Sequence, residues 1–126
     1  QVIDLIGESK KLTYEQLLHM NELKTCRFFR AACQLGCIAA GISDKKAFAD
    51  AEVYADSLGL CFQLTDDLLD MATEKTDKTT FLTYMTAADA RKLASELTEK
   101  AKEAISGCAG NDALISLADF LLTRTV

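Results

Sequence analysis

The chain has 126 residues, 49% of them hydrophobic and 26% charged, with no proline, six glycines and a net charge of −5. That is the size of one ordinary domain, able to bury roughly two-thirds of its unfolded surface and too short for two. The acidic balance counts against a nucleic-acid backbone or an anionic membrane surface as the main partner. Ala, Leu, Lys, Glu and Thr are abundant and turn formers are scarce, so the expected fold class is all-α, a single helical domain over residues 1–126. There is no membrane span, because no apolar run is long enough, and no signal-peptide pattern; a cytoplasmic protein is expected.

The chain opens without Met on Gln1-Val2-Ile3-Asp4-Leu5. Val2, Ile3, Leu5 and Ile6 call for an apolar partner, so this opening reads as a cut through a longer protein. After Gly7 and Ser9, Thr13-x-x-Gln16 is a capping box that starts a helix, with Tyr14, Leu17, Leu18 and Met20 at helical spacing. His19, the only histidine, reads as a partly buried or surface side chain. Lys24-Thr25 has two readings. One is a solvated Lys beside a helix-interior Thr bonded to its preceding turn. The other is an ammonium and a hydroxyl held together as donors to a diphosphate.

From Cys26 to Ala40 the pattern is helical, with Phe29, Ala32, Cys33, Gly36 and Cys37 expected as a close-packing stripe. Gly41 ends this helix and Ser43 or Asp44 caps the next. The five cysteines show no Cys-x-x-Cys pairing, which favours small reduced thiols in apolar surroundings over zinc or a disulfide framework. The following helix runs from about Ala47 through Leu69 and is apolar most of the way round, the mark of a central element. Gly59 within it permits close helix approach, a kink or simple packing.

Late in that helix stands Phe62-Gln63-Leu64-Thr65-Asp66-Asp67-Leu68-Leu69-Asp70. At about 100° per residue, Asp66 and Asp70 share one face with Asp67 beside them, and Gln63 lies one turn earlier. Like charges at this spacing destabilise a helix by a few tenths of a kcal/mol per pair. No Lys or Arg occurs between Lys46 and Lys75, so the sequence offers no neighbouring cation to offset them. A solvated acidic face is the bland explanation. A bound hard cation is the sharper one, and carboxylates on a helix suit Mg²⁺, which completes its shell with waters and phosphate oxygens.

A polar segment follows from Met71 to Phe81. Thr86-x-x-Asp89 then caps a helix through Ala104, with Leu93, Leu97, Ala101 and Ile105 expected inward. Gly107 and Gly110 close it, and Asn111 or Asp112 caps a last helix over 113–124 with apolar Leu114, Leu117, Ala118, Leu121 and Leu122.

Five ordered landmarks, Gln1-x-x-Asp4-Leu5, Lys24-Thr25, Phe62-Gln63-x-x-Asp66-Asp67-x-x-Asp70, Lys78-Thr79-Thr80-Phe81 and Leu117-Ala118-Asp119-Phe120, resemble the C-terminal half of the trans-prenyltransferases, the farnesyl and geranylgeranyl diphosphate synthase family. The resemblance implies the C-terminal part of the isoprenoid synthase fold, a helical bundle. It implies Asp66, Asp67 and Asp70 as Mg²⁺ ligands of a second aspartate-rich motif. It also implies Lys24, Thr25, Gln63 and Lys78 as contacts to the diphosphate, with Lys24, Asp66 and Asp67 in catalysis. In the family the Lys-Thr pair sits at a break in a helix facing the aspartates.

The implied reaction is a head-to-tail condensation of an allylic diphosphate with isopentenyl diphosphate by a short-chain synthase that forms a homodimer. Two departures stand out. The family's Gly-Lys-x-x-Gly-x-Asp element between the aspartates and Lys78 is absent, and so is a first Asp-Asp-x-x-Asp. The expectation is therefore a piece of a synthase without turnover of its own. The alternatives are a non-catalytic helical subunit that needs a partner, or another class of helical terpenoid synthase.

Overall fold

The computed structural model describes residues 12–71, 79–108 and 110–124. Among these residues every regular element is helical, as the composition predicts. Helix α1 spans Tyr14–Asn21, a π turn Glu22–Cys26 continues it, and α2 covers Arg27–Ala39. Then come α3, Lys45–Met71, a 3₁₀ turn at Phe81–Thr83, α4, Ala87–Ala104, and α5, Asp112–Thr123. The opening landmark and Lys78 lie outside the described residues.

The helix boundaries follow local chemistry. At Thr13, Oγ1 accepts from the Gln16 N–H at 3.1 Å while Gln16 Oε1 accepts from the Thr13 N–H at 2.9 Å, the reciprocal capping box read from the sequence. Asp44, not Ser43, starts α3, its Oδ1 accepting from the Lys46 N–H at 3.1 Å. Thr86 caps α4 through the Asp89 N–H. Each such cap stabilises its helix by about 1 kcal/mol. Gly41 ends α2 with φ +74°: its N–H donates to the Ile38 carbonyl and the Ile42 N–H reaches back to Cys37. These are the two bonds of a Schellman ending, which a left-handed residue makes possible. Asn111 precedes α5 without capping it; its side-chain amide donates to the Ile105 carbonyl at 2.8 Å and ties down the α4–α5 turn.

Helix α3, about 40 Å long at roughly 1.5 Å per residue, touches every other described element. Two clusters pack along it. Near its C-terminal end Leu17, Met20, Cys61, Leu64, Phe81, Ala90 and Ala94 are buried together. Toward its N-terminal end Tyr54 and Leu58 meet Ala101, Ile105, Ala118 and Leu121. The inward face of α4 is wider than expected: Ala101 and Ile105 are buried and Leu93 and Leu97 half-buried against the core, as the pattern predicts, and Ala90, Ala94 and Thr98 are buried as well. Small residues let α4 lie close to α3, and the larger leucines flank the seam.

Gly59 is a close-approach position. A Cβ there would stand 2.9 Å from Cys26 Sγ and 3.0 Å from Cys26 Cα. Gly36 is not one, since a Cβ added to it meets nothing within 4 Å. The expected stripe on α2 is correspondingly loose: Phe29, Cys33 and Cys37 are half-buried, Phe29 and Cys33 against the Tyr54–Leu58 cluster, while Ala32 and Gly36 are exposed, and outside the stripe Phe28, Leu35 and Ile38 are 74%, 65% and 63% exposed. Besides the Phe29 and Cys33 contacts, Arg30 ties α2 to α3, its Nη2 donating to both Asp56 carboxylate oxygens at 3.0 and 2.9 Å. Such forked pairs give orientation as well as energy.

Candidate functional site

The π turn is the first element of the site. The Arg27 N–H donates to the Glu22 carbonyl, five residues back, so the helix bulges by one residue there. The bulge is fixed by Cys26, which accepts from the Asn21 amide at 3.2 Å, contacts the Asp56 carbonyl at 3.7 Å and packs onto Gly59. Burial and the nearby Asp56 push the Cys26 thiol up to about 11, so it serves as a packing group. Single π bulges recur at functional sites because they re-aim side chains without ending the helix. Here the bulge carries Lys24 and Thr25, at the helix break that the family resemblance implies.

Both residues line a cavity of about 400 Å³. The facing wall is α3, with Gln63, Asp66, Asp67 and Asp70, and the segment Thr79–Phe81 completes it. The structure thus brings together six of the seven residues singled out from the sequence. The seventh, Lys78, is not described. His19 is exposed and stands 4.0 Å from Glu22, away from the cavity.

The three aspartates are not equivalent. Asp67 is only 6% exposed. Its Oδ1 accepts from Gln63 Nε2 and its Oδ2 from the Phe81 N–H, each at 2.9 Å. Burial pushes its pKa above the ordinary carboxylate value, against the two hydrogen bonds, and the neighbouring Asp66 and Asp70 push the same way. Gln63 therefore pairs with Asp67 at i,i+4. Asp67 ties α3 to the 3₁₀ turn that closes the cavity. Thr79 helps in the same place: its hydroxyl accepts from the Leu12 N–H, and the Tyr84 hydroxyl donates to the Leu12 carbonyl.

Asp66 and Asp70 line the same cavity but are more open than Asp67. Asp70 is exposed, and the Asp66 side chain is 40% exposed. Asp66 adds what the sequence reading lacked, since that reading found no cation nearby in sequence to offset the carboxylates. Arg124, at the end of α5, places Nη2 2.9 Å from Asp66 Oδ1. The compensating charge comes from 58 residues away. The signal available was its position, the single cation of the last helical stretch, one residue past an amphipathic helix end.

The donor set suits a hard cation. Asp66 and Asp70 offer oxygen ligands at the cavity, and an ammonium and a hydroxyl stand on the opposite wall. Among the described residues no three Asp, Glu, His or Cys side chains form a metal-holding group. A cage of protein ligands is thus not what this arrangement resembles. One or two carboxylates with the remaining positions open fit Mg²⁺ completed by water and phosphate oxygens.

Comparison with known proteins agrees with this layout. The polyprenyl synthetase family model matches residues 1–105. Farnesyl diphosphate synthase of Escherichia coli is 31% identical over 140 residues, covering 98% of this chain and 47% of that protein. The match is longer than the chain itself, so this relative carries residues with no counterpart here. Geranylgeranyl diphosphate synthase of Cyanophora paradoxa is 35% identical, covering 98% of this chain and 46% of the relative. The solved FPP/GFPP synthase of Zymomonas mobilis superposes with a TM-score of 0.87 at 29% identity, over 96% of this chain and 43% of that one. The chain spans about half the length of the curated relatives it matches. The motif order, the all-α architecture and these matches together make the chain a member of the polyprenyl synthetase family.

Proposed function

We propose that the chain is the C-terminal half of a short-chain prenyl diphosphate synthase of the farnesyl or geranylgeranyl type, and that its cavity receives the diphosphate of an allylic substrate. The observation that supports this most is the pairing, across one 400 Å³ cavity, of Lys24 and Thr25 on the π turn with Asp66 and Asp70 on α3. The cavity combines cationic and hydroxyl donors with carboxylates, the two components that a metal-bound diphosphate requires.

In this reading Asp66 and Asp70 would hold Mg²⁺, and the chemistry it would supply is Lewis-acid stabilisation of the diphosphate leaving group. Lys24 supplies fixed positive charge to the diphosphate oxygens, and the Thr25 hydroxyl gives a directed hydrogen bond. Gln63 and Asp67 hold the Thr79–Phe81 segment against α3 and so keep the cavity closed on that side. Lys78, next in sequence to that segment, is proposed to contact the same diphosphate. Loss of the diphosphate would leave an allylic cation for attack by the double bond of isopentenyl diphosphate, and the proton then lost would pass to the released diphosphate. The first aspartate motif needed on the opposite side is absent from these residues, and turnover by the 126-residue chain alone is not expected.

The test is an assay with dimethylallyl and isopentenyl diphosphates and Mg²⁺, run on the chain within its full-length parent and on the 126 residues alone. The proposal expects product from the parent, none from the piece, and a loss of at least about 10²-fold in kcat for Lys24→Ala in the parent. Product from the isolated chain would overturn the assignment as an incomplete synthase. A parent that makes no prenyl product, but associates stably with a chain carrying the missing motif, would point to a non-catalytic subunit.

A further inference from the structure

Asp66, a cavity carboxylate, is held by a residue from the far end of the chain. We propose that Arg124 is a positioning residue for Asp66, so that the end of α5 sets the affinity of the cavity for a divalent cation. This inference rests on the reading of the cavity as a Mg²⁺–diphosphate site and adds a residue which that reading does not use.

Arg124 Nη2 donates to Asp66 Oδ1 at 2.9 Å, to Thr65 Oγ1 at 3.1 Å and to the Phe62 carbonyl at 3.1 Å. Its guanidinium carbon also stands 4.2 Å from the centroid of the Phe62 ring. All these partners lie within about one turn of α3, the turn that carries Asp66. Thr65 is itself fixed, its hydroxyl reaching the Cys61 and Phe62 carbonyls at 3.0 Å. The Arg124 side chain is 11% exposed and the Asp66 side chain 40%. The arginine therefore holds the carboxylate from the protein side while Asp66 remains open to the cavity.

A lone aspartate on a helix face has several rotamers, and a metal selects among them at an entropic cost. A partner that fixes the carboxylate beforehand removes part of that cost, as hydrogen-bonding partners of metal ligands do in general. A guanidinium suits the task because it stays charged and its donors are rigidly directed. Two plainer roles compete: a latch that docks α5, and a counter-charge that partly neutralises the carboxylates. They differ in the sign of the effect on metal binding. Loss of a counter-charge leaves a more negative site and tightens cation binding; loss of a latch leaves binding alone while lowering stability; loss of a positioning group weakens binding although a positive charge has gone.

The experiment measures Mn²⁺ binding to the full-length parent by electron paramagnetic resonance, with inorganic pyrophosphate present, for wild type, Arg124→Met, Arg124→Lys, Thr65→Val and Asp66→Asn. Positioning predicts a dissociation constant raised about 10-fold in Arg124→Met, with Arg124→Lys intermediate and Thr65→Val weakened less but in the same direction. Unchanged or tighter binding in Arg124→Met overturns the proposal. Should Arg124→Met lose its helical circular dichroism, Thr65→Val decides, and unchanged binding there overturns it. Wild type that binds no Mn²⁺, or Asp66→Asn that binds as wild type does, overturns the reading of the cavity and this inference with it. If Asp66→Asn abolishes binding while Arg124→Met leaves it unchanged, the cavity reading stands and only the positioning role falls.

Discussion

Two cavities of nearly equal size lie along α3, about 400 Å³ toward its C-terminal end and about 420 Å³ toward its N-terminal end. The first is lined by Lys24, Thr25, Gln63 and the aspartates; the second by Cys33, Gly36, Ala47, Ala51, Tyr54 and other small or apolar groups. Volume therefore does not distinguish a site from a loose seam. What distinguishes them is how each wall is built. At the C-terminal end a π bulge, a glycine contact, a buried carboxylate and a long-range arginine all hold side chains in fixed directions. At the other end, no residue of α2 is itself buried against α3, and the space is lined by small side chains such as Gly36, Ala47 and Ala51.

This contrast predicts unequal responses to substitution. The largest effect belongs to Phe81→Ala. Phe81 is 0% exposed and packs edge-on to Tyr14 at 6.2 Å, while its N–H donates to Asp67. Removing the ring should cost about 3–5 kcal/mol in urea denaturation and abolish pyrophosphate binding together with it. A loss below about 1 kcal/mol would mean that the cavity wall is not part of the core.

Gly59→Ala comes next. The added methyl meets Cys26 backbone at 3.0 Å, so the π turn must move away from α3. Overpacking of this kind costs about 1–3 kcal/mol, and pyrophosphate affinity should fall because Lys24 and Thr25 ride on the displaced turn. Normal affinity in a destabilised variant would separate the bulge from binding.

At the opposite end, Tyr54→Phe removes the hydrogen bond from the phenol to the Leu114 carbonyl, 2.6 Å long, at about 0.5–1.5 kcal/mol. It should leave pyrophosphate binding intact. Burial pushes the Tyr54 phenol up to about 12. The stability it contributes is fully present below about pH 10, the ordinary phenol value, and is lost as pH rises through 12. Thermal unfolding followed from pH 9 upward should therefore show a shallower alkaline decline in Tyr54→Phe; equal slopes would contradict the burial of this hydroxyl.

The smallest effect is expected from Phe28→Ser on exposed α2, within about ±0.5 kcal/mol in the 126-residue chain. A distinctly larger loss in the full-length parent would show that this face is covered there.

The same contrast explains what the sequence could tell. Thr13-x-x-Gln16, Gly41 and Thr86-x-x-Asp89 act within a turn of their own position, so the helix boundaries they set were readable directly. The cavity residues were readable mainly through the family resemblance of Lys24-Thr25 and the aspartate motif; spacing alone left both with plainer readings. The internal division among the aspartates was not, since it depends on partners far along the chain: the Phe81 N–H turns Asp67 inward, and Arg124 meets Asp66 only after α5 folds back along α3. The α2 stripe was legible only in part, for the same reason: Phe29 and Cys33 do pack against the Tyr54–Leu58 cluster, but Ala32 and Gly36 stay exposed. Helical periodicity marks an apolar face, yet only tertiary packing decides whether anything covers it, and nothing described here covers Phe28, Leu35 or Ile38.

The central claim is that Lys24, Thr25, Asp66 and Asp70 form one Mg²⁺–diphosphate site. Calorimetric titration of inorganic pyrophosphate into the full-length parent, with and without Mg²⁺, tests it most directly. The account predicts binding that requires Mg²⁺ and is lost in both Asp66→Asn and Lys24→Ala while the fold is kept. Binding that is equally tight without Mg²⁺, or that survives both substitutions, would contradict it.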